Sequence, residues 1–247
     1  MLNHLLEMRQ RALVVLIVFA GFFMLFFIFA SELFEALVKP LVSALPTGDS
    51  LIATNITATV LTPISLAGDV AMIVTTPVAL FHLWRFAAPG LYQNERYRLR
   101  GIMVASLLLF CTGLAFCFYL VLPFMFQFFT KAIPHGIKMM PDMTNAMEFI
   151  TRMLLLFGLC FQVPLVCLTL IRLQWISIEA LQKMRPYVIV SAFIIGMLLT
   201  PPDVLSQVLL AVPLCLLYEL GIVLSKWPRR LGHSTQHETK IHTPHET

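Results

Sequence analysis

The sequence predicts an all-α integral membrane protein with six transmembrane helices. Hydrophobic residues make up 59% of the 247 residues and charged residues only 12%. Soluble domains are roughly 45–50% apolar and about a quarter charged, so this composition excludes a soluble fold. Apolar runs recur along the chain, and lysines and arginines are concentrated in alternate connections between them. Both patterns are typical of a multi-span helical bundle.

The predicted spans are the six apolar runs at 12–31, 64–84, 101–129, 149–171, 187–200 and 204–224. The first run follows Arg9 and Arg11, as the apolar part of a secretory signal peptide would. However, 12–30 holds 19 uncharged residues, more than the roughly 7–15 of a signal peptide, and no A-x-A cleavage site follows. We therefore expect this helix to stay in the membrane. The second run is the less regular one, because Asp69 interrupts its start.

The third and fifth runs differ most in length. The third holds 30 uncharged residues, Gly101 to Thr130, which would form a helix of ~45 Å. The fifth holds 14 residues, Tyr187 to Thr200, or ~21 Å, against a hydrocarbon core of ~30 Å. We predict an uneven, cupped bundle with short fifth and sixth spans and a thinner bilayer around them. The connection 32–63 is expected to form an irregular external cap with one short helix.

The basic residues predict the orientation. Thirteen lysines and arginines fall in one set of connections, made of 1–11, 85–100, 172–186 and 225–247. Only three fall in the opposite set, made of 32–63, 130–148 and 201–203. Cytoplasmic connections carry the excess of basic residues, so both termini are expected in the cytoplasm.

The chain is expected to form one membrane domain, 1–225, followed by a polar, disordered cytoplasmic tail, 226–247. The five cysteines lie in apolar runs without a CxxC pair, which is typical of packing residues rather than of a metal or disulfide site. The sequence contains no glycine-rich nucleotide loop and no HExxH motif. We predict no enzyme activity, no cofactor and no metal site, which leaves binding and gating as functions.

Two carboxylates stand out on the predicted cytoplasmic side. Glu7 precedes the first span, and Glu95 follows the helix-breaking pair Pro89 and Gly90 in the first cytoplasmic loop. Two acidic groups on a surface rich in arginine would suit a basic ligand. The simpler interpretation of the surrounding aromatic residues is an interfacial belt, made of Trp84, Phe86 and Tyr92.

Several motifs resemble one family of membrane proteins. HLLEMRQR opens the chain, WRFAAPGLYQNERYRL follows the second span, FQVPL lies in the fourth, and RPYVIVSAFIIGMLLTPPDVLSQ covers the fifth and the start of the sixth. These motifs and the six-span topology resemble TatC, the C subunit of the twin-arginine protein translocase, over nearly all of residues 4–227.

The resemblance implies a receptor for signal peptides with two adjacent arginines, carried by folded proteins that are exported across the bacterial inner membrane by the proton-motive force. Glu7 and Glu95 match the glutamates that contact the arginine pair. The other residues implied in that pocket are Arg9, Phe86, Pro89, Leu91 and Tyr92. The implied partners are the single-span subunits TatA and TatB, further copies of the chain and the lipid bilayer, with no nucleic acid. The residues implied in partner-helix binding are Gln162, Met197, Leu198, Thr200, Pro201, Asp203, Gln207 and Glu219.

One position departs from the family. Many relatives carry a glutamate where this chain has Gln162, and glutamine can form hydrogen bonds but cannot hold a titrating proton. Pro164 is expected to kink the fourth span beside it, and Gln162 has a structural alternative, satisfying the backbone groups that the kink leaves open.

Other functions and contacts stay open. An ion-coupled solute transporter could use the intramembrane carboxylates Asp69, Asp203 and Glu219, although the chain shows no internal repeat. A scaffold for other membrane proteins is a third possibility, but it leaves Glu7 and Glu95 unexplained. Asp69 could reach the interface or pack against the external cap.

Overall fold

The structure is a computed structural model that describes residues 2–45, 50–87, 96–132, 140–199 and 204–232. Its elements are helices, and within these residues one isolated bridge, between Ile52 and Asp142, is the only β-type pairing. The predicted all-α class is therefore confirmed. The helices are α1 (Leu2–Ile28), α2 (Ala30–Ala44), α3 (Ala58–Ala87), α4 (Arg96–Phe116), α5 (Leu122–Lys131), α6 (Met143–Cys160), α7 (Val163–Arg172), α8 (Ile178–Lys183), α9 (Arg185–Leu199) and α10 (Val204–Gly232).

Five segments in the described part are long and apolar enough to cross a membrane: Met8–Ile28, Ala58–Arg85, Arg100–Lys131, Met143–Arg172 and Gln207–Lys226. The sixth apolar helix, Arg185–Leu198, is shorter, as its sequence predicts. The prediction of a short sixth span is wrong, because α10 runs for 29 residues. Six spans and a cupped shape stay predictions.

The chain forms two compact units, Met1–Phe161 and Gln162–Thr247. In the first unit, α1 packs on α3, while α4 and α6 pack on α3 and on each other. Two glycines let α4 and α6 approach closely. A Cβ at Gly158 would lie 2.6 Å from the ring of Phe110, and one at Gly113 would lie 2.7 Å from the carbonyl oxygen of Phe157.

The third span contains a feature that its sequence did not predict. A π-helical turn, Cys117–Val121, separates α4 from α5. Pro123 follows at the start of α5, and proline has no N–H to donate to the carbonyl four residues earlier. A wider turn avoids the clash of its ring with that carbonyl, and such turns often occur at functional positions.

The first unit has two distinct ends, which we call the basic end and the cap end. The basic end is where α1 begins and α3 finishes, with Arg9, Arg11 and Arg85. At the cap end lie α2, the segment 50–57 and the start of α6. There the N–H of Ile52 donates to the carbonyl oxygen of Pro141 at 3.1 Å. The N–H of Met143 donates in turn to the carbonyl oxygen of Ile52 at 2.9 Å.

Two polar contacts join α3 to α6 within the first unit. The hydroxyls of Thr62 and Thr144 are 2.7 Å apart, and Thr151 Oγ1 donates to Asp69 Oδ2 at 2.7 Å. Both contacts advance by seven residues on each helix, so α3 and α6 run parallel along one seam. Asp69 thus bonds to a neighbouring helix within the bundle, rather than to the external cap.

In the second unit, α7, α8 and α9 pack on α10. The core of this unit consists of Cys167, Leu181, Tyr218 and Ile222. Pro164 occupies the first turn of α7, where its missing N–H is not needed, and the fourth span is broken between Cys160 and Val163. The predicted disturbance at Pro164 is confirmed. α10 continues to Gly232, so the first seven residues of the predicted tail are helical, and 233–247 lie outside the described residues.

Candidate functional site

The first candidate site lies at the basic end, where α1 and α3 are antiparallel neighbours. Arg11 Nη1 donates to the carbonyl oxygen of His82 at 3.1 Å, and about three turns further along α1 the ring of Phe23 lies against Gly68. Continuing this antiparallel register by one helical turn brings the backbone of Glu7 level with that of Phe86. The entrance of α1 therefore lies beside the end of α3, from which the first loop leaves.

The structure describes only part of the predicted peptide pocket. Arg9 is exposed on α1, while the backbones of Glu7 and Phe86 are helical and their side chains lie outside the description. The remaining predicted pocket residues lie outside the described residues: Pro89, Leu91, Tyr92 and Glu95.

The end of α3 is also attached to α4. Trp84 Nε1 donates to Ser106 Oγ at 3.3 Å, and Ser106 is buried. Indole N–H groups seek a hydrogen-bond partner when they leave water, so this bond holds the last turn of α3 against α4. The end of α3 is thus held by two hydrogen bonds, one at His82 and one at Trp84. Both join different helices, and the sequence did not predict either.

The second candidate site is the pair of helices α9 and α10. A Cβ at Gly196 would lie 3.5 Å from the Cα of Gln207, an ordinary van der Waals distance, so α9 and α10 are direct neighbours here. Met197 and Leu198 are 54% and 73% exposed and form an apolar face next to this contact. The other predicted residues of this region lie outside the described part: Thr200, Pro201 and Asp203.

Glu219 has a partner within its own unit. Its Oε1 lies 2.7 Å from Nε of Arg185, and its Oε2 accepts from Nη2 at 2.8 Å. The carboxylate thus faces two guanidinium nitrogens, with one hydrogen bond through Nη2 and one close ionic contact at Nε. Beside it, the buried Tyr218 hydroxyl donates to the carbonyl oxygen of Leu181 at 2.8 Å. The two contacts attach α8 and the start of α9 to α10. The sequence signal for the ion pair was a carboxylate inside an apolar run, which needs a cationic partner.

Gln162 is only 5% exposed and makes polar contacts within the fold. Its carbonyl oxygen accepts from the N–H of Val166 at the start of α7. The burial favours the structural interpretation of this side chain over direct contact with a partner helix.

Two of the three carboxylates that an ion-coupled transporter could use have polar partners within their own unit. Asp69 accepts from Thr151, Glu219 pairs with Arg185, and Asp203 lies outside the described residues. Among the described residues no three His, Cys, Asp or Glu side chains cluster as a metal site would require. Near the start of α6, Glu148 and Arg152 form an ion pair at 2.9 Å, as their spacing of four residues on a helix predicts.

Comparison with known proteins identifies the family. The family model described as Sec-independent protein translocase protein (TatC) matches residues 3–213. The chain is 40% identical to TatC of Haemophilus influenzae over 92% of its length and 89% of the relative. It is 38% identical to TatC of Escherichia coli over 92% of its length and 88% of the relative.

Solved structures agree with this assignment. The crystal structure of the twin-arginine translocase receptor TatC has a TM-score of 0.84 and 33% identity, over 92% of this chain and 100% of that one. A second crystal structure of that receptor, in the detergent DDM, has a TM-score of 0.82 and 32% identity, over 90% and 99%. The chain therefore belongs to the TatC family of Sec-independent protein translocase proteins, which are membrane components of protein transport and not enzymes.

Proposed function

We propose that this chain is the receptor subunit of a twin-arginine translocase. It binds the signal peptides of folded proteins, recruits the single-span subunits TatA and TatB, and supports export driven by the proton-motive force. The proposal includes six spans, both termini in the cytoplasm, a place in the bacterial inner membrane and assembly with further copies of the chain. It is supported by the family, by the similarity to crystal structures of the twin-arginine translocase receptor TatC and by the arrangement of the basic end.

The carrying observation is the antiparallel register of α1 and α3. Because Arg11 donates to the backbone carbonyl of His82, the backbone of Glu7 lies level with the last turn of α3. Glu95 follows that helix by eight residues in the sequence. We infer that the two carboxylates bind the paired arginines, with Phe86, Leu91 and Tyr92 shaping the pocket. The same kind of contact between a carboxylate and an arginine occurs within the chain, where the Glu219 carboxylate contacts two nitrogens of the Arg185 guanidinium.

Arginine should be preferred over lysine at such a site. Guanidinium is planar and offers a fork of donors that a carboxylate accepts in pairs, whereas an ammonium is a point charge. A hydrogen bond to a charged group contributes roughly 1.5–3 kcal/mol, and less where water competes. Two carboxylates would thus discriminate two arginines from two lysines without any contact to the rest of the cargo protein.

The test is peptide binding to the purified chain in nanodiscs, measured with a twin-arginine peptide and its twin-lysine counterpart. Glu7→Gln and Glu95→Gln should each weaken binding of the arginine peptide by at least tenfold and reduce the preference over lysine. Glu35→Gln is the matched control, because Glu35 lies on α2 at the cap end. Wild-type affinity in both pocket variants would refute the assignment of the pocket.

We propose further that partner helices bind along α9 and the adjoining part of α10. The exposed side chains of Met197 and Leu198 support this proposal, since they form an apolar face beside the contact at Gly196. The neighbouring residues would complete the surface: Thr200, Pro201, Asp203 and Gln207. Gln162 and Glu219 would act indirectly, by holding the unit in shape.

Photo-crosslinking in membranes that contain TatA and TatB tests this surface. A photoreactive residue at Met197 or Leu198 should capture a single-span subunit, whereas one at Leu120, which is 59% exposed on the third span, should not. Gln162→Leu should reduce this crosslinking without abolishing it, because hydrogen bonds between membrane helices average only ~0.6 kcal/mol. Equal capture from all three exposed positions would contradict a specific surface.

A further inference from the structure

A groove of about 230 Å³ opens between α2 and the third span at the cap end of the first unit. Its apolar lining comes from Pro40 and Ala44 on one side and from Phe118 and Pro123 on the other. Phe118 belongs to the π-helical turn, and Pro123 follows that turn.

The polar residues of the groove include a cation. Lys39, Ser43 and Gln127 line it and are all exposed. No carboxylate within the described ranges forms an ion pair with Lys39, although Glu35 lies one turn earlier on the same helix. Together these side chains offer an ammonium, a hydroxyl and an amide N–H₂ group, which are all donors to an anion with several oxygens.

The groove runs along the final part of the third span. The third span finishes at Lys131, and Gln127 lies four residues before it, or ~6 Å along the helix axis. Phe118 lies 13 residues before Lys131, or ~20 Å. A ligand that fills the groove must therefore be polar at one end and apolar over the rest of its length.

A second groove at the same end provides a comparison. It measures about 290 Å³ and is lined by apolar residues together with Glu32. A carboxylate repels a phosphate group, so this second groove lacks the charge that an anionic ligand needs.

We propose that the groove between α2 and the third span binds one anionic phospholipid. The phosphate accepts from Lys39, Ser43 and Gln127, and an acyl chain lies against Phe118 and Pro123. A lipid, rather than free phosphate, is the occupant because most of the lining is apolar and lies along a segment long and apolar enough to cross a membrane. The site is separate from the proposed peptide pocket, which is at the basic end.

Native mass spectrometry of the full chain in a neutral detergent tests this proposal, with phosphatidylglycerol, phosphatidylcholine and soluble glycerol phosphate as separate probes. We expect one phosphatidylglycerol to bind in preference to phosphatidylcholine. Lys39→Gln should weaken its binding about fivefold, the usual effect of one basic side chain at a charged membrane surface. Ala44→Phe should weaken both lipids, because the larger ring fills the apolar part of the groove.

Lys131→Gln is the matched control. It removes the same charge at the same end of the unit, but Lys131 does not line the groove. Equal losses in the Lys39 and Lys131 variants would overturn the proposal, since they indicate general attraction to charge. Equal binding of both lipids would overturn the anionic preference, and tight binding of glycerol phosphate alone would overturn the assignment to a lipid. Circular dichroism and thermal unfolding of each variant distinguish loss of the site from loss of the fold.

Discussion

Breaking the ion pair between Arg185 and Glu219 should loosen α9 from α10 while leaving the first unit intact. Glu219→Gln keeps the size of the side chain and one acceptor oxygen but removes the charge. Arg185→Gln removes the guanidinium, and the double variant completes a thermodynamic cycle. The coupling free energy from this cycle isolates the pair from other effects of each substitution.

The magnitude follows from geometry and exposure. The two short contacts, 2.7 and 2.8 Å, are typical of a pair worth roughly 1.5–3 kcal/mol when water is excluded. Both side chains are 43% exposed, however, and exposed pairs measure only about 0.2–1 kcal/mol. We therefore expect a coupling free energy of about 1 kcal/mol, at the upper end of the exposed range. The reason is that the carboxylate lies within 3 Å of two guanidinium nitrogens.

The assay is reversible unfolding of the chain by sodium dodecyl sulfate in mixed micelles, followed by helix content. The matched control is the cycle of Glu148→Gln and Arg152→Gln, a single-contact pair within one helix with exposures of 44% and 61%. Pairs four residues apart on a helix contribute about 0.3–0.5 kcal/mol. A coupling free energy for Arg185 and Glu219 no larger than that of this control would refute the reasoning from two close contacts.

Two further predictions concern the first unit. Asp142 accepts hydrogen bonds from Thr54 and from backbone N–H groups, and the Thr54 hydroxyl lowers the pKa of this carboxyl most. A lowered pKa means that the stabilisation is present above the unfolded value of about 3.9 and is lost as the pH falls through the lower folded value. Hydrogen exchange of 50–57 should therefore accelerate only below about pH 4, and Asp142→Asn should remove this pH dependence; acceleration near pH 6 would contradict it. Gly158→Ala should destabilise the chain by about 1–3 kcal/mol, because its Cβ would overlap the ring of Phe110, whereas Gly21→Ala, with nothing within 4 Å, should not. Detergent unfolding measures both, and equal stabilities would contradict the close packing of α4 and α6.

Properties that depend on neighbours along the chain could be predicted from the sequence. The long apolar runs gave the spans, the short run before Pro201 gave the short helix α9, and the spacing of Glu148 and Arg152 gave their ion pair. Pro164 predicted the break in the fourth span. In each case the signal and its consequence lie within a few residues, so local geometry is enough.

Contacts between distant residues could not be predicted in this way. Asp69 and Thr151 are 82 residues apart, and Arg185 and Glu219 are 34 apart. From the sequence alone, the carboxylates of Asp69 and Glu219 could each be an ion-coupling site or a contact with a partner. The packing of the helices shows that each has a hydrogen-bond donor within its own unit. Gln162 shows the same dependence, because its burial and not its chemistry decides whether another chain can reach it.

The sequence by itself determined that this protein is a helical membrane component with the motifs of the TatC family. Those conclusions need only composition, spacing and residue order, which the chain carries before it folds. The tertiary structure decided which polar groups are satisfied internally and which remain exposed, and it formed the groove beside the π-helical turn. Such properties arise when helices pack, because a buried charge or a cavity is defined by atoms from elements that are far apart in the sequence.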